Sequence, residues 1–566
     1  MARGMLSPCS SVAEASSVSR ASSPLPVFSV TVLGFAVNRN TLGHGGSSMD
    51  TGNKLSWFRR HPFASAALVF TAIAVGMLPT SAQAEKGQGG GGAAALAAPA
   101  RTGGDIINNA AAIRLGKALF WDMQAGGDGQ IACATCHFHA GADNRTFNTL
   151  HPGPDGIFAS GGVTAAGQNF TPSNIVNDDR VGSQGIVGSI FVSIDANPNH
   201  AADNCNANET APFFHNRRVT GRNTPSVVNA VFNRQNFWDG RANDNFNGND
   251  PFGLTGNAGG AIGTTVTNSS LASQAVGPPN NPTEMSCEGR TFNGPNSLAA
   301  KMLARTPLRQ QFAHPQDSVL GGITNWPNPG LSRSYTQLIS DAYGPAVAAN
   351  AANTFSRIWG ESIQAYVSTL IPDRTPFDTG TMTASQQKGQ SIFGGKGQCS
   401  KCHAGAELTD ASVNFAASNG LVNEDGGDQG FHNTGVTPTA QDIGRAGTGP
   451  NGVSFSVSGN DRGAFKTPAL RNDKLTAPYM HNGGKATLAD VVDFYNRGGD
   501  VQNPELAKRI KPLGLSSSDK AALVDFLMNA LTDCRTERDE APFDHPSLAV
   551  PNGANVPATG GGHTCN

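Results

Sequence analysis

Two five-residue segments constrain this chain more than any other feature: residues 133–137, C-A-T-C-H, and residues 399–403, C-S-K-C-H. In each C-x-x-C-H pattern, two thiols can add to the vinyl groups of haem and the histidine can bind the iron. With 9 cysteines and 13 histidines among 566 residues, two chance copies are not expected. The sequence therefore predicts two covalently bound haem c groups, held by Cys133, Cys136 and His137 and by Cys399, Cys402 and His403.

Two other kinds of site use closely spaced cysteines. A thioredoxin-like redox motif occurs once, beside a βαβ pattern, and needs no adjacent histidine. A zinc site needs further cysteines or histidines at short spacing beside each pair. Neither description fits two separate C-x-x-C-H segments.

An apolar run at residues 64–78 follows Arg59 and Arg60, and a small-x-small segment ends at Ala84. This pattern predicts a secretory signal cleaved after Ala84, with Met49 as an alternative start, whereas an uncleaved membrane anchor is the competing interpretation. Haem is attached covalently on the oxidising side of the membrane. We therefore expect a periplasmic protein.

Composition indicates a globular chain rich in loops, because charged residues make up only 14% and the chain has 69 glycines and 34 prolines. The formal net charge of −2 implies neither nucleic acid nor an anionic surface as a binding partner. Four cysteines remain after haem attachment and signal removal, an even number in an oxidising compartment. Two disulfides are expected, with the pairing left open among Cys205, Cys287, Cys534 and Cys565.

An internal duplication surrounds the two motifs. Residues 116–120, G-K-A-L-F, precede the first, and residues 389–393, G-Q-S-I-F, precede the second. We expect a mainly α fold with two cytochrome c-like haem domains and long loop insertions. The predicted organisation is a signal or pre-sequence at 1–84, a flexible segment at 85–110, a first haem domain at 111–372 and a second at 383–566 with a C-terminal tail.

The boundary between the two domains has its own signals. Residues 353–370 show the apolar spacing of a helix, residues 372–383 would form a linker, and Thr383 with Gln386 would cap the next helix. Residues 140–222 and 243–289 are rich in Gly, Asn, Asp and Pro, and are predicted to be surface insertions. A Cys205–Cys287 bridge could join them, and they could be partly disordered or shape access to the first haem.

Six further segments resemble the bacterial di-haem cytochrome c peroxidase/MauG superfamily: R-N-T-P-S at 222–226, F-W-D-G-R-A at 237–242, P-T-E-M at 282–285, F-H-N-T-G at 431–435, F-K-T-P-A-L-R-N at 465–472 and T-A-P-Y at 476–479. The resemblance runs from about residue 115 to residue 551, interrupted by the insertions. It implies that the first haem reacts with peroxide and that the second transfers electrons.

The resemblance also assigns site residues. Glu284 matches the family's distal glutamate, which would shuttle a proton between the peroxide oxygens, and Gln274 matches its glutamine. Trp238 would lie between the haems and relay electrons. A tryptophan in F-W-D-G is otherwise a core aromatic residue, and Trp238 can be both.

Three further assignments concern metal ligands. Asn223, with the backbone carbonyls of Thr476 and Pro478, matches a calcium site, the alternative being simple turn residues. His215 lies where the peroxidase branch has a displaceable second ligand of the first haem, and a surface or propionate-contacting histidine is the alternative. Tyr495 stands where that branch has a methionine ligand of the second haem, as in MauG-like proteins, and Met480 is the substitute candidate.

The resemblance leaves three functions open. The first is reduction of H2O2 with electrons from a small periplasmic cytochrome c or cupredoxin. The second is a MauG-like enzyme that oxidises a protein or small molecule. The third is an electron-transfer protein without chemistry of its own, which would not need Glu284 and Gln274. A homodimer is left open.

Overall fold

Helices build the two larger hydrophobic cores of this computed structural model, which describes residues 96–561 except 160–161, 173–174, 255–260 and 451. The predicted signal, Met49 and Cys565 lie outside the described residues. The helices are α1 (Asn109–Trp121), α2 (Ala134–His137), α3 (Ser270–Ala275), α4 (Leu298–Leu303), α5 (Tyr335–Tyr343), α6 (Pro345–Ala349), α7 (Ala351–Val367), α8 (Pro376–Thr379), α9 (Ala384–Gly394), α10 (Val413–Asn419), α11 (Leu488–Arg497), α12 (Ser517–Asp525) and α13 (Cys534–Glu537).

The first core is centred on the packing of α1 against α7. Helix α1 starts where the Asn108 side chain accepts a hydrogen bond from the Ala111 amide, which satisfies one free N–H of the first turn. Gly116 allows the close approach, because a Cβ at this position would lie 1.9 Å from the Ser362 carbonyl oxygen of α7. Phe543, Leu548 and Val550 also join this core, so the C-terminal segment returns to the first region.

The second core packs α12 against α9 and α11. The predicted cap of α9 is present, with Thr383 and Gln386 hydrogen-bonded reciprocally in a capping box. Gly389 has the same role as its counterpart in α1, since a Cβ there would lie 2.1 Å from the Ala522 carbonyl oxygen of α12. The sequence duplication is therefore a duplication of helix packing.

Strands are short and pair in antiparallel twos among the described residues: β1 (Leu150–His151) with β2 (Arg180–Val181), β3 (Gln184–Val187) with β6 (Arg217–Val219), β4 (Ser189–Ser193) with β5 (Asn204–Ala207), and β7 (Phe431–His432) with β8 (Phe465–Lys466). Six of these strands belong to the first predicted insertion. A Cys205–Cys287 disulfide joins the two insertions, and Cys534 is disulfide-bonded as well.

The described part of the expected flexible segment at 85–110 is attached to the body of the protein. Thr102 forms a β-bridge with Thr267, and the Ile107 amide donates to the Ala342 carbonyl at 2.9 Å. The expected linker at 372–383 contains the short helix α8, whose Asp378 is bound by Arg471 at 2.6 Å. These polar contacts were not visible in the local composition, which alone suggested mobility.

A buried ion cluster connects the first insertion to the second region. Arg222 binds Asp239 at 2.6 Å and Asp442 at 2.7 Å, and Arg180 binds Asp442 at 2.9 Å. Burial alone would raise the pKa of Asp442, but hydrogen bonds from Arg222 and the charges of both arginines outweigh it and lower the pKa to about 2. None of the helices in the described part of the chain is both long and apolar enough to span a membrane.

Candidate haem sites

The first C-x-x-C-H segment lies at helix α2, with Cys133 at its N-cap. Helix α1 delivers Phe120, whose ring centroid lies 6.3 Å from that of His137. The Nδ1 atom of His137 is hydrogen-bonded to the Gly141 carbonyl at 2.7 Å. Because Nδ1 is held in this way, Nε2 is the nitrogen left to bind a metal.

The thiols of the first segment are free, and both cysteines are partly buried. Burial raises the pKa of Cys133 and Cys136 to about 12, and the nearby charge of Glu284 contributes to the rise at both cysteines. Arg145 opposes the rise at Cys136, where its Nη2 lies 3.8 Å from the sulfur. Glu284 therefore lies close enough to the two thiols for its charge to act on both.

Glu284 is positioned by a tight loop. The Asn281 carbonyl accepts hydrogen bonds from the amides of Glu284 and Met285, and the Met285 carbonyl accepts one from Gly127 at 2.7 Å. The disulfide at Cys287 fixes the loop three residues further on. Burial raises the pKa of Glu284, which Arg241 partly offsets. The carboxylate makes no side-chain hydrogen bond within the described ranges, so its proton-binding oxygens are available.

Gln274 and Trp238 lie on separate elements. Gln274 is half-buried near the end of α3, and its side chain makes no hydrogen bond to any residue that the structure describes. Trp238 donates from Nε1 to the Asn223 carbonyl at 2.8 Å, and its ring lies 6.3 Å from that of His481. His481 in turn stacks on Phe465 at 3.6 Å.

The second C-x-x-C-H segment repeats the arrangement of the first. Cys399–Lys401 forms a 3₁₀ turn, and Phe393 of α9 places its ring 6.5 Å from that of His403. The Nδ1 atom of His403 is within hydrogen-bond distance of the Pro468 carbonyl at 3.0 Å, with the Leu408 carbonyl at 3.3 Å. At both sites, two free thiols and an imidazole with one nitrogen already held fit the requirements of c-type haem.

A cavity adjoins the second segment. Its lining includes Cys399, Cys402 and His403, together with Tyr495 of α11, Met480 and Trp238. Burial raises the pKa of Tyr495, and the charges of Cys402 and Cys399 add to the rise. Both candidate ligands, Tyr495 and Met480, thus reach the cavity that contains His403.

The expected calcium ligands lie close together, but Asn223 is hydrogen-bonded directly to the Pro478 carbonyl. The Asn223 Nδ2 donates to the Pro478 carbonyl at 2.7 Å and to the Met480 carbonyl at 3.3 Å. Thr476 and Pro478 line the same cavity as Asn223. A calcium ion at this point would require the amide to turn, so that Oδ1 faces the carbonyls instead.

His215 does not reach the first haem site in this structure. Its side chain is 89% exposed, and Nδ1 lies 2.8 Å from the Glu209 carboxylate. The expectation of an axial ligand therefore gives way to its alternative, a surface histidine. The physical reason is the local turn, in which the Glu209 carboxylate also accepts from the His215 backbone amide at 2.7 Å.

Three polar residues at the second site were missed by sequence reasoning. His432 binds Asp410 at 2.8 Å beside Cys402. Lys466 and Asp473 both line the cavity. Burial lowers the pKa of Lys466 to about 8 and raises the pKa of Asp473 to about 8. His432 and Lys466 lie inside segments that carried the family resemblance, which was the available signal.

Comparison with known proteins agrees with this geometry. The family model of di-haem cytochrome c peroxidase matches residues 110–387. Cytochrome-c peroxidase IdrP2 of Denitromonas iodatirespirans is 27% identical, with 74% of this chain and 81% of that protein covered. IdrP1 of the same organism is 30% identical, with 36% and 60% covered. Methylamine utilization protein MauG of Methylorubrum extorquens is 29% identical, with 34% and 48% covered. The family model and these relatives together show that the chain belongs to the di-haem cytochrome c peroxidase family of haem-dependent oxidoreductases.

Proposed function

We propose that this protein is a periplasmic di-haem c-type peroxidase, which reduces H2O2 at the first haem with electrons relayed through the second. The observation that carries the proposal is the position of Glu284, a carboxylate without a side-chain hydrogen bond in the described structure whose charge acts on both thiols of the first segment. A protein that only carries electrons has no need of an acid and base at this place.

The haem supplies an iron centre that can bind peroxide and exchange electrons with it. Reduction of H2O2 to two water molecules consumes two electrons and two protons. Glu284 would take a proton from the oxygen nearer the iron and deliver it to the leaving oxygen. Burial of this carboxyl raises its pKa, which brings proton uptake and release closer to neutral pH. Gln274 would hold the peroxide or a water molecule through its amide.

The chain provides a connection between the two sites. Trp238 lines the second cavity and is fixed by its hydrogen bond to the Asn223 carbonyl. In the proposed relay, electrons from a small cytochrome c or cupredoxin enter at the second haem and pass by way of Trp238. The proposal also includes a calcium ion bound by Asn223, Thr476 and Pro478, which would stabilise the loop whose Asn223 carbonyl accepts the Trp238 hydrogen bond. It further includes a homodimer as the oligomeric state.

A MauG-like activity is the second candidate, because Tyr495 rather than a methionine of α11 lines the second cavity. A phenolate ligand donates charge to ferric iron and would lower the reduction potential relative to a thioether. In this version, the oxidising equivalents of peroxide are passed to an oxidisable protein or small molecule. Trp238 would then carry electrons from that substrate, instead of from a donor protein, toward the first haem.

Mass spectrometry and a peroxide assay test the proposal. The periplasmic protein should carry the mass of two haems on Cys133/Cys136 and Cys399/Cys402, and it should oxidise two equivalents of a reduced small cytochrome c per H2O2. A protein with fewer than two haems would refute the di-haem assignment. A two-haem protein that consumes peroxide only with an added protein substrate would favour the MauG-like version.

A further inference from the structure

Lys466 is a buried cation without a partner. It lies on β8 opposite Phe431 of β7, is 6% exposed, and lines the cavity beside His403. No hydrogen bond or ion pair to its ammonium group is present among the described residues. Burial is also the only cause of its lowered pKa, which means that no neighbouring charge compensates the ammonium group.

The other fully buried lysines of the described chain have carboxylate partners. Lys117 binds Asp317 at 2.8 Å, and Lys301 binds Asp203 at 2.7 Å. This is the usual rule, since a charge removed from water needs an opposite charge or hydrogen bonds in return. Lys466 departs from this rule, and it is the only one of these three lysines that lines the cavity beside His403.

The three carboxylates that line this cavity do not serve as the partner of the Lys466 ammonium group. Asp473 has a pKa that burial alone raises, so neither it nor Lys466 responds to the charge of the other. Glu424 is taken by Arg509, and Asp425 by Lys508. The missing anion must therefore come from the molecule that occupies the cavity.

We propose that the Lys466 ammonium group binds a propionate carboxylate of the second haem, and that its charge sets the reduction potential of that haem. The inference rests on the proposed function, because it requires haem at Cys399, Cys402 and His403. Haem carries two propionates, which supply the anionic group that the cavity lacks. A fixed positive charge stabilises ferrous over ferric iron and raises the potential. Lys466 is thus a positioning and tuning residue rather than a catalytic one.

The test compares variants of the full-length periplasmic protein by spectroelectrochemical titration, with EPR used to tell the two haems apart. Lys466→Met should lower the midpoint potential of the second haem, leave that of the first haem in place, and shift the propionate bending band in resonance Raman spectra. Lys466→Arg should restore both properties. Lys511→Met is the matched control, because Lys511 lines the same cavity but is exposed, and water screens its charge.

An unchanged potential in a Lys466→Met protein with two haems would overturn the inference. If this variant fails to mature, Lys466→Gln is measured instead, and the same two outcomes apply. A wild-type protein that lacks the second haem by mass would refute the proposed function. A wild-type protein with both haems and an insensitive Lys466 variant would refute this inference alone.

Discussion

The two haem sites are built from the same parts up to the histidine and differ beyond it. In both, a helix glycine permits close packing, a phenylalanine four residues later lies 6.3 or 6.5 Å from the histidine ring, and a backbone carbonyl holds Nδ1. The residue that interacts with the thiols through its charge is Glu284 at the first site, whereas Tyr495 lines the cavity with the thiols at the second. The residues expected to hold haem therefore belong to the repeated unit, whereas the proposed chemistry depends on the residues that the rest of the chain adds to each site.

The largest expected effect tests the residue that distinguishes the first site. Glu284→Gln should slow the reaction with H2O2 by about 10²–10⁴-fold, because an amide cannot exchange the proton. Optical spectra of both haems should stay nearly unchanged, which stopped-flow absorbance can measure in the same experiment. Glu288→Gln is the control, as this exposed carboxylate lies four residues further along the same loop. If the Glu284→Gln protein reacts with H2O2 at the wild-type rate, Glu284 is not the acid and base that distinguishes the first site from the second.

The second effect tests what the two sites share. Gly116→Ala and Gly389→Ala should each lower the free energy of unfolding by roughly 1–3 kcal/mol, because the new methyl group meets a backbone carbonyl in both helices. Gly394→Ala in α9 meets nothing within 4 Å and should leave stability unchanged or slightly raised. Urea unfolding followed by circular dichroism gives the comparison. Loss of stability in only one of the two variants would show that the repeat is not equivalent in packing.

The third effect concerns the ion cluster that connects the first insertion to the second region. Asp442 has a folded-state pKa of about 2, below its ordinary value of 3.8, so its stabilising contribution is present above pH 4 and lost as pH falls toward 2. Asp442→Asn should lower stability at pH 7 by about 2 kcal/mol and flatten the pH dependence in that window. Asp493→Asn, at an exposed pair with Lys520, should change stability by less than about 1 kcal/mol. Parallel pH profiles of wild type and Asp442→Asn would contradict this account.

The smallest effect is spectroscopic and tests the residue opposite His403. Tyr495→Phe should alter the spin state of the second haem in EPR spectra without loss of haem, because a phenolate ligand is removed. Met480→Leu should leave the spectrum unchanged, and the ferric protein should lack the near-infrared band of a methionine-bound haem. The reverse pattern would identify a Met-ligated electron-transfer haem. The second site would then resemble that of an ordinary peroxidase.

Local motifs predicted the parts of this molecule that depend on neighbouring residues. The capping box at Thr383 and the helix expected over residues 353–370 follow from spacing along one element. The structure has the capping box and a helix at residues 351–367. Lys466 could not be predicted, because its isolation depends on which residues from distant segments surround one cavity. His215 could not be placed for a similar reason, since the Glu209 contact arises from a turn rather than from a periodic pattern.

The disulfide between Cys205 and Cys287 has a consequence for biogenesis. These two thiols must be oxidised, while Cys133 and Cys136, earlier in the same region, must remain reduced until haem is attached. A secreted chain emerges from its N-terminus, so the haem-binding pair is exposed before either partner of the bridge. Haem delivery that lags behind translocation would leave four thiols open to exchange, and mispaired cysteines would then exclude haem from the first site. Under the proposed function, the order of emergence along the chain would protect the maturation of the half that reacts with peroxide.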